Sequence, residues 1–84
     1  MKLSDQDAET VRKKPLIFAK HFYVREVSRI NYQRIRIVWE NGEIHREGKN
    51  KFRTTMKFGG KVAYIIFYSY QDYNELITVG TTRR

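Results

Sequence analysis

Two groups of residues in this 84-residue chain have types and spacings that could do chemistry. The first is His21, Arg25 and Arg29, at i, i+4 and i+8, which share one stripe if the stretch is helical. An imidazole beside two guanidinium groups suits RNA cleavage by transesterification. That reaction needs proton transfer at the 2′-hydroxyl and positive charge beside the pentacoordinate phosphorus. Spacing alone favours a plainer reading, a polar surface stripe. The second group is the basic stretch His45–Lys61, where Arg46, Lys49, Lys51, Arg53, Lys57 and Lys61 face the single acid Glu47. Phe52 and Phe58 are interleaved. Cations supply phosphate affinity through counterion release, and aromatic rings can stack on unpaired bases. Strand alternation assigns both rings to the core. The charges are read as a nucleic-acid contact ahead of a merely solvated face.

Other chemistries find little support. Two histidines without cysteine make a zinc site improbable, and His45 has no partner at metal-ligand spacing. The carboxylates of Glu26, Glu40, Glu43, Glu47, Asp72 and Glu75 are scattered, which gives no glycosidase-type pair. No Walker A run or GxGxxG motif occurs, and Ser4, Ser28 and Ser69 lie outside any nucleophile elbow. Tyr64, Tyr68, Tyr70 and Tyr73 form a tyrosine-rich patch. Tyr64 and Tyr68 are expected to pack one sheet face, with room for one hydroxyl to face a groove.

These candidates need elements to position them. Asp5–Lys13 reads as a short helix, with Ser4 as its cap, acids in its first turn and bases in its last, ended by Pro15. Its few apolar residues suggest loose docking, as an extension of residues 1–14 on a core of 15–84. Leu16–Phe18 is either a first strand or the approach to a helix. Tyr23, Val27 and Ile30 recur at helical intervals across His21–Ile30. Residues 32–41 are ambiguous: a cap at Asn31 and a stop at Gly42 suit a helix. The alternation of Ile35, Ile37 and Trp39 ahead of Asn41–Gly42 suits a β-hairpin, and the local pattern slightly prefers the strand. Lys51–Phe58, Lys61–Tyr70 and Glu75–Thr81 read as an antiparallel meander. The middle segment is apolar on both faces and therefore central.

Composition narrows the field further. The absence of cysteine excludes a disulfide scaffold and a thiol nucleophile. No apolar run reaches 18 residues, so a single cytoplasmic domain with no membrane partner is expected. The formal charge is +8, although residues 1–9 set Lys2 against Asp5, Asp7 and Glu9 for −2, which leaves +10 from Thr10 onward. Such a bias on so small a body favours a polyanionic partner.

The run His21-x3-Arg25-x3-Arg29-Ile30, the segment ending Asn41-Gly42-Glu43-Ile44, then KVAYIIFYSY and Leu76-Ile77-Thr78-Val79 resemble a small family. It is catalogued only as a domain of unknown function and is grouped with the RelE/ParE/BrnT-like toxins of toxin–antitoxin systems. The resemblance covers about residues 16–82. It implies an α+β fold, RelE-like, with N-terminal helices packed on a three- to four-stranded antiparallel sheet, and it tips residues 32–41 towards helix. Many members of that superfamily cut RNA without a metal, through basic and aromatic side chains on the sheet, and pair with an antitoxin. The matching positions are His21, Arg25, Arg29 and Thr78; alternation adds Arg53.

The leading expectation is a toxin-like RNA-binding protein, RNA being favoured over DNA, with an acidic antitoxin as partner and no cofactor. Metal-independent RNA cleavage is carried as an open extension of it, with His21 as acid or base and Arg25 and Arg29 on the phosphate. Arg46, Lys49, Lys51, Arg53, Lys57 and Lys61 are the expected nucleic-acid contacts. Two alternatives stand beside it: a non-enzymatic nucleic-acid-binding module, and a protein-interaction domain for an acidic partner.

Overall fold

The computed structural model describes residues 2–24 and 32–83. The elements are α1 (Asp5–Lys13), β1 (Leu16–Val24), α2 (Tyr32–Asn41), β2 (Glu43–Arg46), β3 (Lys51–Phe58), β4 (Lys61–Ser69) and β5 (Asn74–Arg83). The five strands form one sheet in the order β1-β5-β4-β3-β2, with β4 in its middle. Strands β2 to β5 pair antiparallel, and β1 runs parallel to β5. The fold is therefore α+β, but the expectation of three or four antiparallel strands is corrected to a five-stranded mixed sheet. Strand β2 lies outside the expected meander, and β1 carries the possible strand at Leu16–Phe18 on to Val24. The β1 run LIFAKHFYV is dense in β-branched and aromatic residues, which suit a pleated, half-buried surface.

That strand also corrects the helical reading around His21, which lies on β1. Of the helical interval Tyr23, Val27 and Ile30, Tyr23 belongs to β1, and Val27 and Ile30 lie outside the described residues. Arg25, Arg29 and the cap expected at Asn31 lie outside the described residues.

In α1, the Ser4 hydroxyl accepts from the Asp7 amide at 3.1 Å, which caps the helix as its sequence suggested. Lys14 is extended, as a residue before proline is driven to be, and the helix stops there. This helix does not sit apart from the body. Ala8 and Val11 are buried in the common core. Arg12 donates from Nε to the carbonyl of Trp39 at 2.9 Å and from its terminal nitrogen to the carbonyl of Gly42.

Helix α2 shows why helix prevailed over hairpin at residues 32–41. A strand would bury Ile35, Ile37 and Trp39 together. Instead Ile35, Val38 and Trp39 are buried at i, i+3 and i+4, while Ile37 is 41% exposed. Trp39 meets Phe67 edge-on at 4.8 Å, and Phe67 stacks on Phe52 at 5.5 Å. Burying each such ring is worth roughly 1.5–3 kcal/mol, enough to override a weak local preference. The Gly42 amide closes the helix on the carbonyl of Val38 at 2.8 Å.

Both helices cover the sheet face that carries Ile44, Phe52, Ala63, Ile65, Phe67, Leu76 and Val79. Leu3 donates its amide to the carbonyl of Ile44 at 2.9 Å, and Lys2 bridges to His45, so the edge of β2 is partnered by the chain's start. Among the described residues no helix is long and apolar enough to cross a membrane.

Candidate nucleic-acid interface

Alternation along β3 sends Phe52 and Thr54 to the helix face, where both are buried, and Lys51 and Arg53 to the opposite, outer face. Cross-strand register then sets their neighbours. Arg53 lies between His45 on β2 and Ile66 on β4, and Ile66 pairs with Thr78 on β5. Lys51 pairs with Tyr68, which pairs with Glu75; Thr55 pairs with Tyr64. A register shift opposite Ile66 and Phe67 puts one extra residue into β5, so Ile77 and Thr78 both reach the outer face.

The result is a cleft of about 450 Å³ lined by Lys51, Arg53, Tyr64, Ile66, Tyr68, Ile77, Thr78 and Thr82. The Arg53 guanidinium stands over the Tyr64 ring, 5.7 Å from its centroid. Its Nε is 2.9 Å from a Glu47 carboxylate oxygen, an ion pair on a half-buried side chain, at an angle outside hydrogen-bond geometry. Beside it His45 Nε2 lies 2.9 Å from Glu43 Oε1. For a neutral imidazole this contact assigns the proton to Nε2 and leaves Nδ1 as acceptor.

A second cleft, of about 400 Å³, lies at the same end of the sheet and towards the helices. Lys14, Arg46 and Lys49 line it with Phe52, Ser69, Tyr70 and Gln71, and every charged residue in its wall is a cation. Lys14 Nζ donates to the Ser69 hydroxyl and to the Tyr70 carbonyl, both at 2.7 Å. Arg46 donates to the Lys49 carbonyl at 3.0 Å and lies 5.0 Å over the Phe52 ring. The Tyr70 hydroxyl titrates above the ordinary tyrosine range. Desolvation raises it first, then the Glu75 carboxylate and the neighbouring Tyr73 and Tyr68.

Four of the six expected contacts thus gather around one end of the sheet, Lys51 and Arg53 in one cleft, Arg46 and Lys49 in the other. Lys57 and Lys61 do not join them. They flank the β3–β4 turn at the far end, where Lys57 is about 20 Å along the strand from Lys51. Lys14, Glu43 and Thr82 were not among the contributors read from the sequence. Lys14 arrives from a distant segment, which only the tertiary fold reveals. Glu43 was legible, because residues two apart on a strand share a face and it stands two before His45, whereas Glu47, the one acid of the basic stretch, lies just past β2. No three His, Cys, Asp or Glu side chains converge as a metal site among the described residues. No family model matches the chain, and neither a curated protein nor a solved structure matches it significantly.

Proposed function

We propose that this chain is a toxin-like RNA-binding protein that takes single-stranded RNA across the outer face of its sheet. The observation that supports this most is Arg53 poised over Tyr64 in a cleft shared with Lys51 and Tyr68. Tyrosine faces stack on bases of any sequence, at about 1–3 kcal/mol per base. Arg53 and Lys51 supply donors to phosphate, and the hydroxyls of Thr78 and Thr82 suit the ribose 2′-OH that separates RNA from DNA.

The face is mixed in charge, since Glu43, Glu47 and Glu75 accompany Lys51 and Arg53. Stacking therefore carries more of this reading than net charge does. With two phosphate contacts, the log–log slope of affinity against salt is about −1.4. The test is fluorescence anisotropy with labelled oligouridine and oligodeoxythymidine, for the wild type and for Tyr64→Ala and Arg53→Ala. RNA binding that weakens about tenfold in either variant supports the reading. Equal binding by all three proteins, or capture of acidic polypeptide but no oligonucleotide, overturns it.

Metal-independent cleavage is a second reading, favoured by the Glu43–His45 contact across the register from Arg53. His21, with Arg25 and Arg29, is the set that the family resemblance offers for the same chemistry. Incubating an RNA pool with wild type, His21→Ala and His45→Ala decides between them. Products ending in 2′,3′-cyclic phosphate that vanish in one variant identify the acid–base residue. Equal products from all three proteins, or none, remove catalysis and leave a binding module.

A further inference from the structure

We propose that the RNA path does not end at the outer cleft but turns over the end of the sheet into the second, all-cationic cleft. This rests on the outer-face reading and extends it to a second binding site. The two clefts are joined through the backbone, because consecutive residues alternate between them. Lys51 and Arg53 line one and Asn50 and Phe52 the other; Tyr68 lines one and Ser69 the other. An aromatic ladder bridges the rim. Tyr68 and Tyr70 stack at 6.4 Å between centroids, and Tyr70 and Tyr73 follow at 5.1 Å.

Tyr70 and Tyr73 are also among the large apolar side chains that the fold leaves exposed, at 37% and 36%. Rings left exposed at the β4–β5 turn offer faces on which bases can stack. From Tyr64 along β4 and over the ladder to Tyr73 the path is roughly 25 Å. That length fits about four nucleotides or a few more, the short end of single-strand sites. Phosphates leaving the outer face, where acids offset the cations, would then meet Arg46 and Lys49 with no carboxylate in the wall.

The test compares a three-nucleotide and a ten-nucleotide oligouridine, each labelled at one end, against wild type, Lys49→Gln, Tyr70→Ala and the distal control Lys61→Ala. Lys49 and Tyr70 are exposed, so their variants keep the core, and circular dichroism checks that they do. Wild type is expected to bind the ten-mer about a hundredfold more tightly than the trimer, beyond what register statistics give. Its salt slope should steepen from about −1.4 to about −2.8 as two phosphate contacts are added. Lys49→Gln and Tyr70→Ala should lose most of that length gain with trimer affinity unchanged, and Lys61→Ala should lose nothing. A trimer that binds with no length gain overturns the second site and leaves the outer-face reading standing. So do variants that weaken both oligonucleotides equally. If neither oligonucleotide binds, both readings fall.

Discussion

The side-chain amide of Asn74 donates to the carbonyl oxygen of Val11 at 2.8 Å, across 63 residues of sequence. The same nitrogen reaches the Lys14 carbonyl at 3.2 Å, and the Asn74 backbone amide donates to Pro15 at 2.8 Å. One fully buried asparagine thus ties the end of α1 to the start of β5, and both border the end of the sheet where the two clefts meet. Replacing it with leucine removes both side-chain bonds, leaving Val11 only the longer bond from the Lys14 amide at 3.3 Å. The expected loss is about 1–3 kcal/mol, read as a fall in the urea midpoint at constant slope. An unchanged midpoint would show that these bonds do not hold α1 down.

Arg12 makes the other tie. Its planar guanidinium serves two carbonyls at the end of α2, those of Trp39 and Gly42, where the helix dipole also favours a cation. Lysine keeps the charge but not the fork. Arg12→Lys should therefore cost about 1–2 kcal/mol, near 4–8 °C per kcal/mol in melting temperature for a domain of this size. Arg12→Ala should lose more than Arg12→Lys; equal losses would mean that charge alone matters.

Gly42 offers a sharper test of the same corner. A Cβ there would lie 2.5 Å from Thr54 Cγ2 and from the Val38 carbonyl oxygen, and 2.8 Å from the Thr55 oxygen. Two of those three neighbours are backbone and cannot give way cheaply. Gly42→Ala should destabilise by about 1–3 kcal/mol, the cost of overpacking a closed site. Gly48→Ala, where the nearest neighbour stands at 3.5 Å, should be nearly neutral by the same melting assay.

These local contacts also explain what could be read from the sequence. The cap at Ser4, the stop at Pro15 and the meander of β3, β4 and β5 follow from residues close in sequence, and they were legible. Helix α2 was not, because Ile37 and Val38 exchange roles only when Trp39 finds Phe67. Strand β1 was visible only as an option at Leu16–Phe18, for a related reason: its parallel partner, β5, lies at the other end of the chain. The basic stretch was visible as composition. Its division into two clefts and a distant pair was not, since that depends on strand register and on a lysine, Lys14, placed just past α1.

Alkaline titration should follow the Tyr70 proton. Its proton is held more tightly in the folded chain than in an unfolded one, through desolvation and the Glu75 carboxylate. Whatever stability this contributes is complete below about pH 10, the unfolded value, and is lost as pH rises through the folded one. The part of the tyrosinate absorbance that Tyr70→Phe removes should develop above about pH 10, and at lower pH in Glu75→Gln. A single shared transition in all three proteins would contradict the arrangement.

The position of the cations, rather than their number, should govern RNA affinity. Lys51 and Lys57 sit on the same strand and carry the same charge, and the difference is what stands beside them. Lys51 pairs across the sheet with Tyr68 in the outer cleft, whereas Lys57 pairs with Val62 near the far turn. A purely electrostatic surface would make Lys51→Ala and Lys57→Ala equivalent, each lowering the salt slope by about 0.7. A built site makes them differ. Lys51→Ala should lower the slope by that amount and weaken binding several-fold, and Lys57→Ala should leave both within error. Parallel losses in the two variants, measured by anisotropy over a salt series, would reduce the interface to diffuse charge.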